Sequence, residues 1–154
     1  HHNLLAHHDS RSPRMDRELV STDVRNNIIY DWGTTNSAYG AEPYSYNYIK
    51  SLDNPEKYPI VSKNPSNVNW VNNYYKFGPG TKENLRSRIY DISNDIPEIT
   101  KANFFINGNY VTGNDEVTSD NWKGINFPEK AEGDCGVLRK KQGVPGTHDV
   151  SGAF

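Results

Sequence analysis

Asn26-Asn27-Ile28-Ile29-Tyr30-Asp31-Trp32-Gly33 reads as a short strand running into a turn: paired asparagines, an apolar pair, then turn residues. The pattern returns as His2-Asn3-Leu4-Leu5-Ala6-His7 upstream and as Asn72-Asn73-Tyr74-Tyr75-Lys76-Phe77-Gly78 downstream. A weaker copy is Asn103-Phe104-Phe105-Ile106-Asn107-Gly108-Asn109-Tyr110-Val111. Asn3 and Asn27 are 24 residues apart, within the range of periods that signals a solenoid. Asn27 and Asn73 are 46 apart, so an insertion or a second, degenerate turn lies between them. Stacked coils set like residue above like, and a column of asparagines can satisfy its amides along the stack. The helical alternative is poor, because no stretch sustains i, i+3, i+4 apolar spacing for three turns. Residues 81–91 form at best a short exposed helix.

Bulk composition agrees with a turn-rich β protein. Only 34% of residues are hydrophobic, yet the net charge is −2 and aromatics reach 12%, a balance that argues against disorder. Seventeen basic residues against nineteen acidic ones give no basic field for nucleic acid. No run reaches the apolar length of a membrane span. The single Cys135 excludes an internal disulfide and says little about redox compartment. Residues 43–66, with four prolines among Tyr44, Tyr46, Tyr48 and Tyr58, read as a long surface excursion. The expected organisation is one domain, with coils over about 1–112 and an irregular capping tail over 113–154. The abrupt start at His1 is expected to mark the C-terminal part of a longer protein.

Before the second copy stands His7-His8-Asp9-Ser10-Arg11-Ser12-Pro13-Arg14. Pro13 fixes its own φ and pushes Ser12 towards an extended backbone, so Arg11 and Arg14 are expected on a stiff segment. Two guanidinium groups there form a fork for carboxylates, pointing to an anionic substrate. The four nearby histidines are suitable zinc ligands by type, but adjacent histidines on a strand face opposite ways. That argues against a shared metal site.

His-His-Asn with a leucine pair, followed by Asp9-Ser10-Arg11-Ser12-Pro13-Arg14, resembles the polysaccharide lyase family 1 pectate lyases. Asp23 to Gly33 is similar to that family's next coil, Tyr39-Gly40-Ala41-Glu42 to its Tyr-Gly-x-Glu turn, and Asn67 to Gly80 to the coil after that. The resemblance covers about residues 1–80 and thins after Thr112. It implies an all-β fold, a right-handed parallel β-helix, that cleaves α-1,4-linked galacturonan by β-elimination. It further implies a secreted or periplasmic location and polygalacturonate or pectin as the partner polysaccharide.

In that family an arginine removes the C5 proton of a uronate, and the matching position is Arg11. Arg14 matches a substrate-binding arginine. A further basic residue five places after the base is replaced by Asp16, with Arg17 beside it; Arg17 and Tyr39 are the other expected substrate contacts. The resemblance also implies calcium as cofactor, with its aspartate ligands upstream of His1, on the preceding half of the same β-helix, and none within this sequence.

The chemistry asks for such a set. Removing a proton beside a carboxylate is hard until a cation neutralises the developing charge, and a guanidine accepts a proton only where neighbouring cations favour its neutral form. The competing expectation is a non-catalytic β-helix that binds acidic polysaccharide or serves as a structural solenoid. Of Trp32, Trp70 and Trp122, at least two are expected to pack rather than stack on sugars. Asp149 with His148, in the aperiodic tail, is read as a chance pairing.

Overall fold

The computed structural model describes residues 1–16, 21–42, 54, 66–92, 102–127 and 137–139. The chain is built mostly of parallel β-strands. In order these are β1 (Leu4–Ala6), β2 (Arg14–Asp16), β3 (Ser21–Arg25), β4 (Ile28–Tyr30), β5 (Ala38–Glu42) and β6 (Ser66–Val71). There follow β7 (Tyr74–Lys76), β8 (Tyr90–Ile92), β9 (Ala102–Asn107), β10 (Tyr110–Val111), β11 (Ile125–Asn126) and β12 (Val137–Arg139). The one α-helix among the described residues is α1 (Asp115–Ser119).

Three sheets result, ordered β1-β4-β7-β10, β2-β5-β8-β11 and β3-β6-β9-β12; we call them A, B and C. The chain visits A, B and C in that order four times, each pass adding one parallel strand to every sheet. This is a parallel all-β arrangement with the repetition of a solenoid. β4 pairs directly with β7, Ile28 opposite Tyr74. The 46 residues from Asn27 to Asn73 therefore make one coil plus an excursion, not two coils; nearly all of that excursion, with its four tyrosines, lies outside the described residues.

The asparagine copies sit where sheet C hands over to sheet A. A residue with positive φ stands at each corner: His2 at 58°, Asn26 at 54°, Asn72 at 55° and Gly108 at 69°. Asparagine and glycine tolerate that region best. At Gly108 a side chain is excluded twice, since an added Cβ would also lie 2.2 Å from Asn72 Oδ1. The next residue carries the ladder. Asn3 Nδ2 donates to Asn27 Oδ1 at 3.0 Å, Asn27 to Asn73 at 2.9 Å, Asn73 to Asn109 at 2.9 Å and Asn109 to Asn121 at 3.1 Å. The Asn27, Asn73 and Asn109 oxygens also take the backbone N–H of the asparagine in the preceding coil, and the Asn121 oxygen takes that of Asn109 within the fourth coil.

In the fourth coil the ladder position is Asn109. Asn103 lies in β9 and donates to Asn67 across sheet C. Residues 81–91 hold one 3-10 turn, Glu83–Leu85, and the start of β8. The stretch read as irregular tail supplies α1, β11, β12 and the buried Asn121. Asn121 ends the ladder, donating to the carbonyls of Asn109 and Val117.

Between the sheets the core is aromatic and in columns. Leu5, Ile29, Tyr75 and Val111 are aligned in sheet A, and Val24, Trp70 and Ile106 in sheet C. Trp32 packs edge-on to Tyr75, Trp70 to Tyr90, and Tyr90 to Phe104. Buried indoles need acceptors: Trp32 Nε1 donates to the Leu85 carbonyl at 3.0 Å and Trp70 Nε1 to the Tyr75 hydroxyl at 2.7 Å. Burial pushes the Tyr75 phenol up, so it stays a neutral donor to the Ile89 carbonyl. Trp32 and Trp70 are wholly enclosed and are not sugar platforms.

Asn73 sits at the centre of the ladder. Its replacement by alanine should strand the Asn27 amides and cost about 3 kcal/mol. Asn103→Ala, off the ladder, should cost under about 1 kcal/mol. Urea unfolding of the intact protein, compared at constant m, reads the difference.

Candidate functional site

The loops from sheet A to sheet B all lie along one edge of the stack. They run over 7–13, 31–37, 77–89 and 112–124, one per coil. Arg11 is on the first. It is exposed, and its backbone adopts a positive φ of 59° ahead of a cis Ser12–Pro13 peptide. The expected stiff extended segment is instead a turn, because its backbone groups bond to the second coil. Arg11 N–H donates to Asn36 Oδ1 at 2.7 Å and Ser12 N–H to the Ser37 carbonyl at 2.9 Å. Tyr39 N–H donates to the Pro13 carbonyl at 3.1 Å, and Thr34 donates through both N–H and hydroxyl to Asp9. Asp9 is thereby engaged in holding the loop.

Arg14 follows on β2, exposed and directly opposite the half-buried Tyr39 on β5. The Arg11 guanidinium carbon stands 6.0 Å from the centre of the Tyr39 ring, the outer limit of a cation–π contact. Arg11, Arg14 and Tyr39 thus form one group at the mouth of sheet B. Arg17 lies outside the described residues, as do Cys135, His148 and Asp149. The histidine pairs do not occupy alternate faces of a strand: they flank β1, and His2 and His7 both have positive φ.

Several residues of this edge escaped sequence reasoning. His7 Nδ1 is 2.8 Å from Asp31 Oδ2, with the imidazole exposed and the carboxylate nearly enclosed. The two are equivalent positions of successive coils, which a 24-residue offset makes visible once the period is known. Asp31 Oδ1 also accepts the Gly80 N–H at 2.7 Å. The third coil approaches so closely that a Cβ on Gly78 would lie 2.4 Å from that oxygen. Burial alone would raise the Asp31 carboxyl. The His7 hydrogen bond, the Gly80 amide, the imidazole charge and the Thr81 amide outweigh it and hold the carboxyl below its usual range. Asp31 therefore ties the loops of three coils together directly beneath Arg11's loop.

Further along sheet B, the column Arg14, Tyr39, Asp91 and Asn126 continues in register. Asp91 is buried. Desolvation raises its carboxyl, and the Arg88 charge and the hydrogen bonds of Asn126 and Arg88 only partly offset this. Among the described residues, no three His, Cys, Asp or Glu side chains cluster as a metal site, and no helix is long and apolar enough to cross a membrane.

No protein-family model and no curated protein sequence matches the chain. Fold and geometry define a parallel all-β protein with an arginine-bearing loop edge.

Because the folded Asp31 carboxyl lies below its unfolded value, ionised Asp31 stabilises the fold above the unfolded carboxylate range, near pH 4. The contribution disappears as pH falls through the folded value. Asp31→Ala should cost about 1–3 kcal/mol at neutral pH, by stranding the Gly80 amide and removing the partner of His7. It should also flatten the acid side of the stability–pH curve. Thermal melts from pH 7 to pH 2 check both.

Proposed function

We propose that the chain is part of a pectate lyase-type polysaccharide lyase, its sheets belonging to a right-handed parallel β-helix. The reading takes Arg11 as the base and Arg14 and Tyr39, with Arg17, as substrate contacts. The observation that carries it is the presentation of Arg11: an exposed guanidinium on a loop whose backbone is bonded to the neighbouring coil, beside a second arginine on the adjoining strand. A base held that way keeps its position while substrate binds.

In β-elimination the Arg11 guanidine takes the C5 proton of a galacturonate. The C–H electron pair becomes the C4–C5 double bond, the C4–O bond breaks, and the leaving oxygen takes a proton from water. Arg14 pairs with a substrate carboxylate and withdraws negative charge from the reacting ring. Calcium would assist that neutralisation through ligands supplied from outside this sequence. A secreted or periplasmic location belongs to the same proposal.

A second reading is a β-helix that binds acidic polysaccharide without cleaving it. The contact between Arg11 and the Tyr39 ring favours it, because it engages the guanidinium as a cation, the form that binds carboxylates.

The intact protein, assayed on polygalacturonate with calcium, should yield unsaturated uronides absorbing in the ultraviolet. Arg11→Ala should reduce the rate at least a hundredfold while retaining polymer binding. Wild-type turnover in that variant would remove Arg11 from the chemistry, and binding without product in the unmodified protein would select the second reading.

A further inference from the structure

A cavity of about 250 Å³ opens between the third and fourth loops of the arginine-bearing edge. Phe77, Glu83, Arg86 and Ser87 line it from one loop, and Thr112, Gly113 and Asn114 from the next. The Arg86 guanidinium carbon lies 4.8 Å from the centre of the Phe77 ring. That contact covers one face of the planar cation and leaves its N–H edge for a ligand. Among the described residues Arg86 has no acidic partner. By contrast, Lys123, on the fourth loop, is paired with Glu116 at 2.7 Å.

The wall therefore combines one available guanidinium with a carboxylate and a rim of hydroxyl and amide groups. A simple anion would be attracted by Arg86 and repelled by Glu83. A sugar acid satisfies both, its carboxylate meeting Arg86 and its hydroxyls donating to Glu83, while Ser87, Thr112 and Asn114 offer further polar contacts. The volume suits a single ring; sites for larger ligands start near 300 Å³.

Position supports the same occupant. Neighbouring strands are spaced about 4.8 Å apart, so the third loop lies about 10 Å along the stack from Arg11's loop. Both open on the same edge, with the exposed Thr34 and Thr35 of the second loop between them. We infer that the cavity bounded by Phe77, Arg86 and Asn114 is an outlying subsite for one hexuronate residue of an acidic polysaccharide whose chain runs along the loop edge past Arg11. The inference rests on the acidic-polysaccharide reading above and does not require cleavage.

Calorimetric binding and steady-state kinetics on the intact protein, with galacturonate oligomers of two lengths, test it. Arg86→Gln should weaken octagalacturonate binding about tenfold or more, the loss expected for one charged hydrogen-bonding partner. Its KM should rise in step and kcat should not change. The KM for digalacturonate cleaved at Arg11, too short to reach the cavity, should be unaffected. Arg86→Lys, which keeps the charge but loses the planar fork, should recover only part of the affinity. Octagalacturonate bound equally well by wild type and Arg86→Gln overturns the subsite. So does equal binding by wild type of an octamer whose carboxylates have been reduced to alcohols. Arg86-dependent binding without ultraviolet-absorbing product keeps the subsite and removes the lyase reading; product formation with unaltered Arg86→Gln kinetics does the reverse.

Discussion

A column of side-chain amides governs this structure. At the corner from sheet C to sheet A, the backbone turns too sharply to continue its ladder, and its N–H groups are buried. Such groups need partners. Asn27, Asn73 and Asn109 each supply an oxygen that accepts from both the backbone and the side chain of the asparagine in the preceding coil, and Asn121 does the same for Asn109 from within the fourth coil. A slip in any coil would leave both donors unmatched. The column therefore sets the register of sheet A, and the apolar columns beneath it follow, as Leu5, Ile29, Tyr75 and Val111 show.

The loop edge inherits that register. Three-residue strands in the first three coils of sheet A bring the chain to the sheet's far side at equivalent residues, His7, Asp31 and Phe77. Asp31 is then in place to bond His7 in one direction and the amide of Gly80 in the other. Arg11's loop is held in turn by Asn36, Ser37 and Thr34, all from the second coil. Its guanidinium projects from a frame whose parts are distant in the chain but one strand spacing apart in space. The arrangement of side chains along this edge depends on the same stacking that buries the core.

Much of this was legible in residue order, and the misses have identifiable causes. Asn3, Asn27 and Asn73 each open an apolar or aromatic pair and could be aligned by eye. In the fourth copy the eye is drawn to Asn103, because Phe104 and Phe105 follow it. The ladder instead uses Asn109, since residues 102–107 extend sheet C alongside β6. Strands as short as Ile125–Asn126 carry no periodicity, and only their pairing with β8 identifies them. At the site, Arg11, Arg14 and Tyr39 were named from motifs. The His7–Asp31 link, the Asn36 support and the cavity at Arg86 were not, because each joins residues of different coils and no local spacing records it.

Residue order alone determines that the chain repeats, that each repeat is a short strand followed by a turn, and that arginines cluster beside a proline near its start. These properties follow from contacts within a few residues, where side-chain type limits backbone conformation. Which asparagines share a column, that the Pro13 segment is a turn and not an extended run, and that Asp31 lies ionised beneath an exposed histidine were decided by tertiary structure. Those outcomes depend on hydrogen bonds and burial between segments 12 to 49 residues apart, and nearly all such pairings have energies only once neighbouring coils have closed on one another.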